Sequence, residues 1–265
     1  KAKVYLQQAR AAILALKPAY GRVIGWAKGN LATAPSGKVG AVTLPGGLAY
    51  YANELKLNTT TDLTADQIHA IGLSEVARIE AEQDALARQA GFADRHAFYA
   101  ERARLYPPVP YTDELRKEYL DTANAFVART RTLLPPYFGT LPAYGIEVVR
   151  EPAFSEVPGG AAHASAPSPD GKRPARTYVH LVGMRPDPAA MYTLMCHEAV
   201  PGHNMQGDIQ VHQQGGPKFR AVTGYVAFGE GWGLYAEALC KEMGAFPDIA
   251  ADFMRLDAEL FRAAR

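Results

Sequence analysis

His197-Glu198-Ala199-Val200-Pro201-Gly202-His203, followed by Glu230-Gly231-Trp232-Gly233-Leu234-Tyr235-Ala236-Glu237, is the part of this chain whose reading decides the fold. Two imidazoles four residues apart share one face of a helix. Here they stand at 197 and 203. On an unbroken helix that spacing is about 600° of rotation and roughly 9 Å of rise, so the rings would point apart. The position four after His197 is Pro201, which cannot return a hydrogen bond to the His197 carbonyl, and Gly202 frees the backbone beside it. The expectation is a helix interrupted at Pro201-Gly202, with His203 turned back towards His197. The alternative is two unrelated surface histidines around a kink. Glu230 and Glu237 lie two helical turns apart and so share one face. That face is either part of the same site or a solvated acidic stripe beside structural Trp232 and Tyr235.

If the imidazoles converge, the chemistry follows. Zn²⁺ takes imidazole nitrogens and a carboxylate and keeps one position open. A carboxylate that is not a ligand then takes a proton from the activated water. Glu198, adjacent to the first imidazole, is placed for that task.

Outward from the motif, Asp187-Pro188 reads as an N-cap and first helical residue, leading into a helix through Tyr192, Leu194 and Cys196. Before it, residues 146–150 and 176–182 read as short strands, separated by an exposed Gly/Ala/Ser/Pro loop over 158–174. Upstream the pattern is helical: residues 3–16, ended near Pro18; a Gly/Pro-punctuated loop from Gly29 to Gly47; and a helix opened by a Thr64/Gln67 capping box and stopped by Gly91. Helices over 94–105 and 112–134 follow. Downstream, helices run over 218–243 and from Pro247 to the end. The fold class is mainly α with a small β-sheet: a helical region 1–140 and a metal-site region 141–265, forming one continuous domain of a longer protein.

Charge balance bounds the partners. Lys+Arg number 28 against 27 Asp+Glu, a net charge of +1, which argues against a nucleic-acid partner. No apolar run reaches the ~20 residues of a spanning helix. The two cysteines, Cys196 and Cys240, imply no disulfide framework, and Cys196 reads as a small buried hydrophobe.

Residues 197–206 followed by 229–237 resemble a bacterial family catalogued as domain of unknown function 885, whose members are mostly lipoproteins assigned to the zincin-like peptidases. Weaker similarity lies in Gly47-Leu48-Ala49-Tyr50-Tyr51, in residues 59–64 and in residues 68–76. The resemblance implies a gluzincin-like metallopeptidase fold and an exported, periplasmic or lipid-anchored parent protein. Family members are longer, so the remainder of the polypeptide is an expected partner. Many carry a second His where this chain has Asn204. The second motif is also similar to a segment of aminopeptidase-like gluzincins in which its first Glu binds zinc. That similarity favours Glu230 as ligand and leaves Glu237 to orient a ligand imidazole.

The expected activity is zinc-dependent hydrolysis of peptide or small amide bonds, with His197, His203 and Glu230 holding Zn²⁺ and Glu198 as base. The alternative is a catalytically inactive gluzincin-like scaffold or fragment. His180 reads as a structural or cleft-lining residue, and 176–182 as the strand to which substrate backbone would add, by analogy. His212 is a substitute ligand should His203 point away. His69, His96 and His163 read as surface residues. Tyr225 and Tyr235 read as core aromatics, or as donors to an oxyanion.

Overall fold

In the computed structural model, the structure describes residues 2–33, 40–168, 170, 172–212, 216–217 and 224–265. The chain divides into two compact units, residues 1–54 and 55–265. In the first, helix α1 (Ala2–Asn30) runs through Pro18 rather than ending there. A proline forfeits its own N–H bond, but the helix can resume after it. None of the residues of α1 is buried. Helix α2 (Gly47–Thr59) begins where the sequence reads as loop. Residues 34–39, also in that expected loop, lie outside the described residues.

The second unit is mostly helical, with two small sheets among the described residues. Helix α3 (Ala65–Gln89) opens on the Thr64/Gln67 capping box. Past its end Gly91 takes φ 88°, a left-handed turn that suits glycine. Helices α4 (Arg95–Leu105) and α5 (Asp113–Leu133) are capped by Asp94 and Thr112. Strand β1 (Val109–Pro110) pairs with β5 (Met184–Arg185), a two-residue ladder too short to read from periodicity. β2 (Ile146–Arg150) lies where the alternation predicts it. β4 is Ala175–Val179, so His180 to Val182 have left the strand. β3 (His163–Ser165) is a correction, since it forms inside the stretch expected to be loop.

Sheet order is β2-β4-β3, parallel then antiparallel. This overturns β4 as the strand to which substrate would add, because both its edges are already paired. Along β2, the Asn124 side chain of α5 donates to the Val148 carbonyl and accepts from the Val148 N–H, at 3.0 and 2.9 Å. Among the described residues β3 is the other edge of this sheet.

The C-terminal half supplies helices α6 (Ala190–Glu198), α7 (His203–His212), α8 (Val226–Glu242) and α9 (Ile249–Ala264). Asp187 is not the immediate N-cap. A turn intervenes before Ala190, with Asp187 Oδ1 accepting from Ala189 N–H and both carboxylate oxygens accepting from Arg102. Residues 218–223, at the start of the expected 218–243 helix, lie outside the described residues. α6 packs against α5, α8 and α9, and α9 also packs along α3. Val127, Val179, Leu181, Met195, Met205 and Leu239 close over this junction, with a second cluster of Ala87, Phe98 and Phe253. Cys196 and Cys240 are joined as a disulfide between α6 and α8, with Cα atoms 6.3 Å apart, which corrects the reading of Cys196 as a free hydrophobe. Two cysteines far apart in sequence give no pairing signal until the helices carrying them are packed.

Candidate metal centre

The interruption expected at Pro201-Gly202 is present. α6 ends at Glu198, the Ala199 and Val200 N–H groups both close on the Met195 carbonyl, the Val200-Pro201 bond is cis, and α7 begins at His203. The residues of the break are fixed by close approach. A Cβ on Gly202 would lie 1.8 Å from the His197 carbonyl oxygen, so the backbone passes where only glycine fits. Trp232 Nε1–H donates to the Pro201 carbonyl at 2.9 Å, tying the break to α8. Asn204 Nδ2–H donates to Thr177 Oγ1 at 2.7 Å, both buried, which ties α7 to β4.

The break brings together His197, His203 and Glu230. Their donor atoms all lie within 4.8 Å of one another. His197 Nε2 is 3.5 Å from Glu230 Oε2, and His203 Nε2 is 3.9 Å from Glu230 Oε1. The rings stand edge to face at 4.7 Å between centroids. Bonds of about 2.0–2.1 Å in a tetrahedral zinc site separate its donors by about 3.3 Å. The trio therefore fits such an ion after a slight closure, and the 66% exposed side chain of Glu230 has room to make it.

Glu237 sits behind the trio. Its Oε1 lies 2.7 Å from His197 Nδ1, with the side chain only 1% exposed. A carboxylate accepts, so Nδ1 carries a proton and Nε2 is the ring nitrogen turned towards Glu230. Gly233 lets α8 come this close: a Cβ there would stand 2.5 Å from His197 Cε1. Sequence reasoning missed Arg262 on α9, whose Nη2 and Nη1 donate to Glu237 Oε1 and Oε2 at 2.6 and 3.1 Å.

Ionisable groups are concentrated here, with His197, Glu198 and Glu237 all buried. Burial pushes the Glu198 carboxyl up to about 7, with His197 opposing the rise and Glu230 adding to it. Burial lowers His197, but the hydrogen bond and charge of Glu237 outweigh it and the net shift is upward. His203 is held down, first by burial and then by the neighbouring His197. A carboxyl held near 7 can both take and return a proton at neutral pH.

The other singled-out residues lie elsewhere. His212 does not join the trio. Its Nδ1 lies 2.7 Å from the Asp208 carbonyl oxygen, and its ring packs 4.7 Å from Tyr144. Tyr225 and Tyr235 are 59% and 52% exposed, which corrects the core-packing expectation, since both lie on the open side of α8. His69, His96 and His163 are exposed, as expected. His180 forms a second grouping with Glu151 and His163. There Glu151 Oε2 is buried without a hydrogen bond, 3.9 Å from His163 Nε2. His180 Nδ1, however, accepts from the Val157 N–H at 3.1 Å. That bond places the ring proton on Nε2, so this imidazole offers an N–H rather than a second lone pair.

The family model described as bacterial protein of unknown function (DUF885) matches residues 1–265. The chain belongs to this family. Among solved structures, the DUF885 chain is similar to the crystal structure of a putative lipoprotein from Colwellia psychrerythraea. The identity is 31%, the TM-score 0.83, and the match covers 94% of this chain. The DUF885 chain spans 43% of that protein's length. No curated protein matches the chain. No helix among the described residues is long and apolar enough to cross a membrane.

Proposed function

We propose that this DUF885 chain carries the catalytic centre of a zinc-dependent hydrolase of peptide or small amide bonds. One observation carries the reading: two imidazole nitrogens and a carboxylate from three separate helices converge beside a buried, unliganded glutamate. His197 Nε2, His203 Nε2 and a Glu230 oxygen would hold the ion. Zinc, when bound, supplies a Lewis acid that lowers the pKa of water towards ~7 and polarises a carbonyl.

The remaining work belongs to the chain. Glu198 takes a proton from the attacking water and returns it to the leaving amine. Its burial excludes competing solvent and holds its proton affinity close to that of the task. Glu237 accepts from His197 Nδ1–H and keeps the opposite nitrogen free. β3, the edge of the sheet nearest α7, is where an extended substrate backbone could add by strand pairing. The Cys196–Cys240 disulfide supports an exported, periplasmic or lipid-anchored parent, since such bonds persist in oxidising compartments.

The test has two measurements. Elemental analysis of the purified chain should give about one zinc per chain. Glu198→Gln should keep that zinc and lose about 10²–10⁴-fold in turnover of a mixed peptide library. Absence of zinc, with no binding on titration, would favour the inactive scaffold. Full activity of Glu198→Gln would remove Glu198 as the base.

A further inference from the structure

We infer that Arg262, on the last turn of α9, is a positioning residue that fixes which nitrogen of His197 carries the ring proton. The metal-affinity part of this inference rests on the zinc reading above; the tautomer part stands on the protein alone.

The geometry is a three-membered relay. Glu237 Oε1 receives the His197 Nδ1–H at 2.7 Å and Arg262 Nη2 at 2.6 Å, while Oε2 receives Arg262 Nη1 at 3.1 Å. Two parallel N–H donors on one carboxylate fix its plane as well as its position, which a single hydrogen bond does not. Without them the terminal torsion of a glutamate is broad and roughly two-fold. Oε1 would then be free to swing away from the imidazole. Arg262 Nη2 also lies 3.4 Å from His197 Nδ1. A guanidinium only donates, so it cannot replace Glu237 as the acceptor for Nδ1–H. If the carboxylate turned aside, the neighbouring N–H of Arg262 would favour a lone pair on Nδ1. The proton would then sit on Nε2, the atom that faces Glu230, where it blocks coordination. The fork holds the ring in the one tautomer that presents a lone pair to the trio.

Position supports this role. Glu237 is enclosed, whereas Arg262 reaches it from the molecular edge with 38% of its side chain exposed. α9 is braced along its length against α3. An ion pair from Glu259 of α9 to Arg78 of α3 reinforces that brace. The arginine is thus delivered by an element that contributes none of the three donor atoms.

The experiment uses the whole chain and two variants, Arg262→Met and Arg262→Lys, checked for folding by circular dichroism and thermal melting. Two-dimensional ¹⁵N–¹H spectra of the metal-free protein, at alkaline pH where imidazole is neutral, report the His197 tautomer. The wild type should show the Nδ1–H form alone, and Arg262→Met a mixture with Nε2–H. Zinc titration should give a dissociation constant raised about 10–100-fold in Arg262→Met. Arg262→Lys keeps the charge without the fork and should recover only part of the affinity. An unchanged tautomer with affinity within twofold of wild type in Arg262→Met would overturn the inference. Full recovery by Arg262→Lys would replace the fork with charge alone. Should Arg262→Met not fold, Arg262→Lys decides between these outcomes. If wild type itself takes no zinc, the metal reading fails, and the metal-free tautomer still tests Arg262.

Discussion

At the scale of single residues, the motif is explained by what each position leaves room for. Gly233 is required because the His197 ring occupies the space where its side chain would be. Gly233→Ala should therefore push α8 and His197 apart, costing about 1–3 kcal/mol of stability. Zinc affinity should fall at least ~10-fold with it. Thermal melting and zinc titration check both effects, and an unchanged affinity would mean that the ring relaxes freely. Glu156 offers a pH test away from the centre. Arg150, at 2.6 Å, holds its carboxyl below the ordinary 4.5, helped by the Leu181 N–H. A depressed folded pKa gives stability that is fully present above 4.5 and lost as pH falls through the lower folded value. Glu156→Gln should be less stable than wild type by about 1–3 kcal/mol at neutral pH, and the gap should close in acid. Chemical denaturation at pH steps from 7 to 3 would show it; a constant gap would disconnect Glu156 from the acid response.

At the scale of elements, the site is a problem of holding three helices in register. α6, α7 and α8 each supply one donor, and the ties lie just off the donors: Trp232 to Pro201 and Cys196 to Cys240 join α8 to the break and to α6, while Asn204 to Thr177 anchors α7 on β4. The cysteines are separated by 44 residues along the chain. On loop-closure grounds a cross-link of that span is worth about 4 kcal/mol, with 2–5 common for native disulfides. Thiol titration of the unreduced, denatured chain should find no free cysteine. Reduction should lower the melting temperature and loosen zinc binding, because the bond joins the residue before His197 to the helix carrying Glu230 and Glu237. A melting curve unmoved by reductant would place the cross-link outside the stabilising contacts.

At the scale of the whole molecule, stability and the metal are linked. An ion held only by the folded arrangement stabilises it by about 2.7 kcal/mol at a free concentration 100 times its dissociation constant. Adding a strong chelator to the zinc-loaded chain should lower its melting temperature, and restoring zinc should return it. Glu198→Gln should show the same rise, since that residue is not among the donors. No shift would argue that the trio does not close on an ion. The core that carries this linkage includes Phe253 of α9, fully buried against Phe98 and Tyr99.

The sequence by itself determined the helical class, the Thr64 cap, the helices that start near 94 and 112, strand 146–150, the break at Pro201-Gly202 and the pairing of the two motifs. Each of these is local, because proline, glycine, capping side chains and periodicity act within a few residues. Only the tertiary structure decided that β4 is enclosed by β3 and β2, that Cys196 meets Cys240, that Tyr225 and Tyr235 face outward, and that Arg262 reaches Glu237. These depend on which distant faces bury one another, and a contact between residues far apart in the chain leaves no periodic trace in either segment.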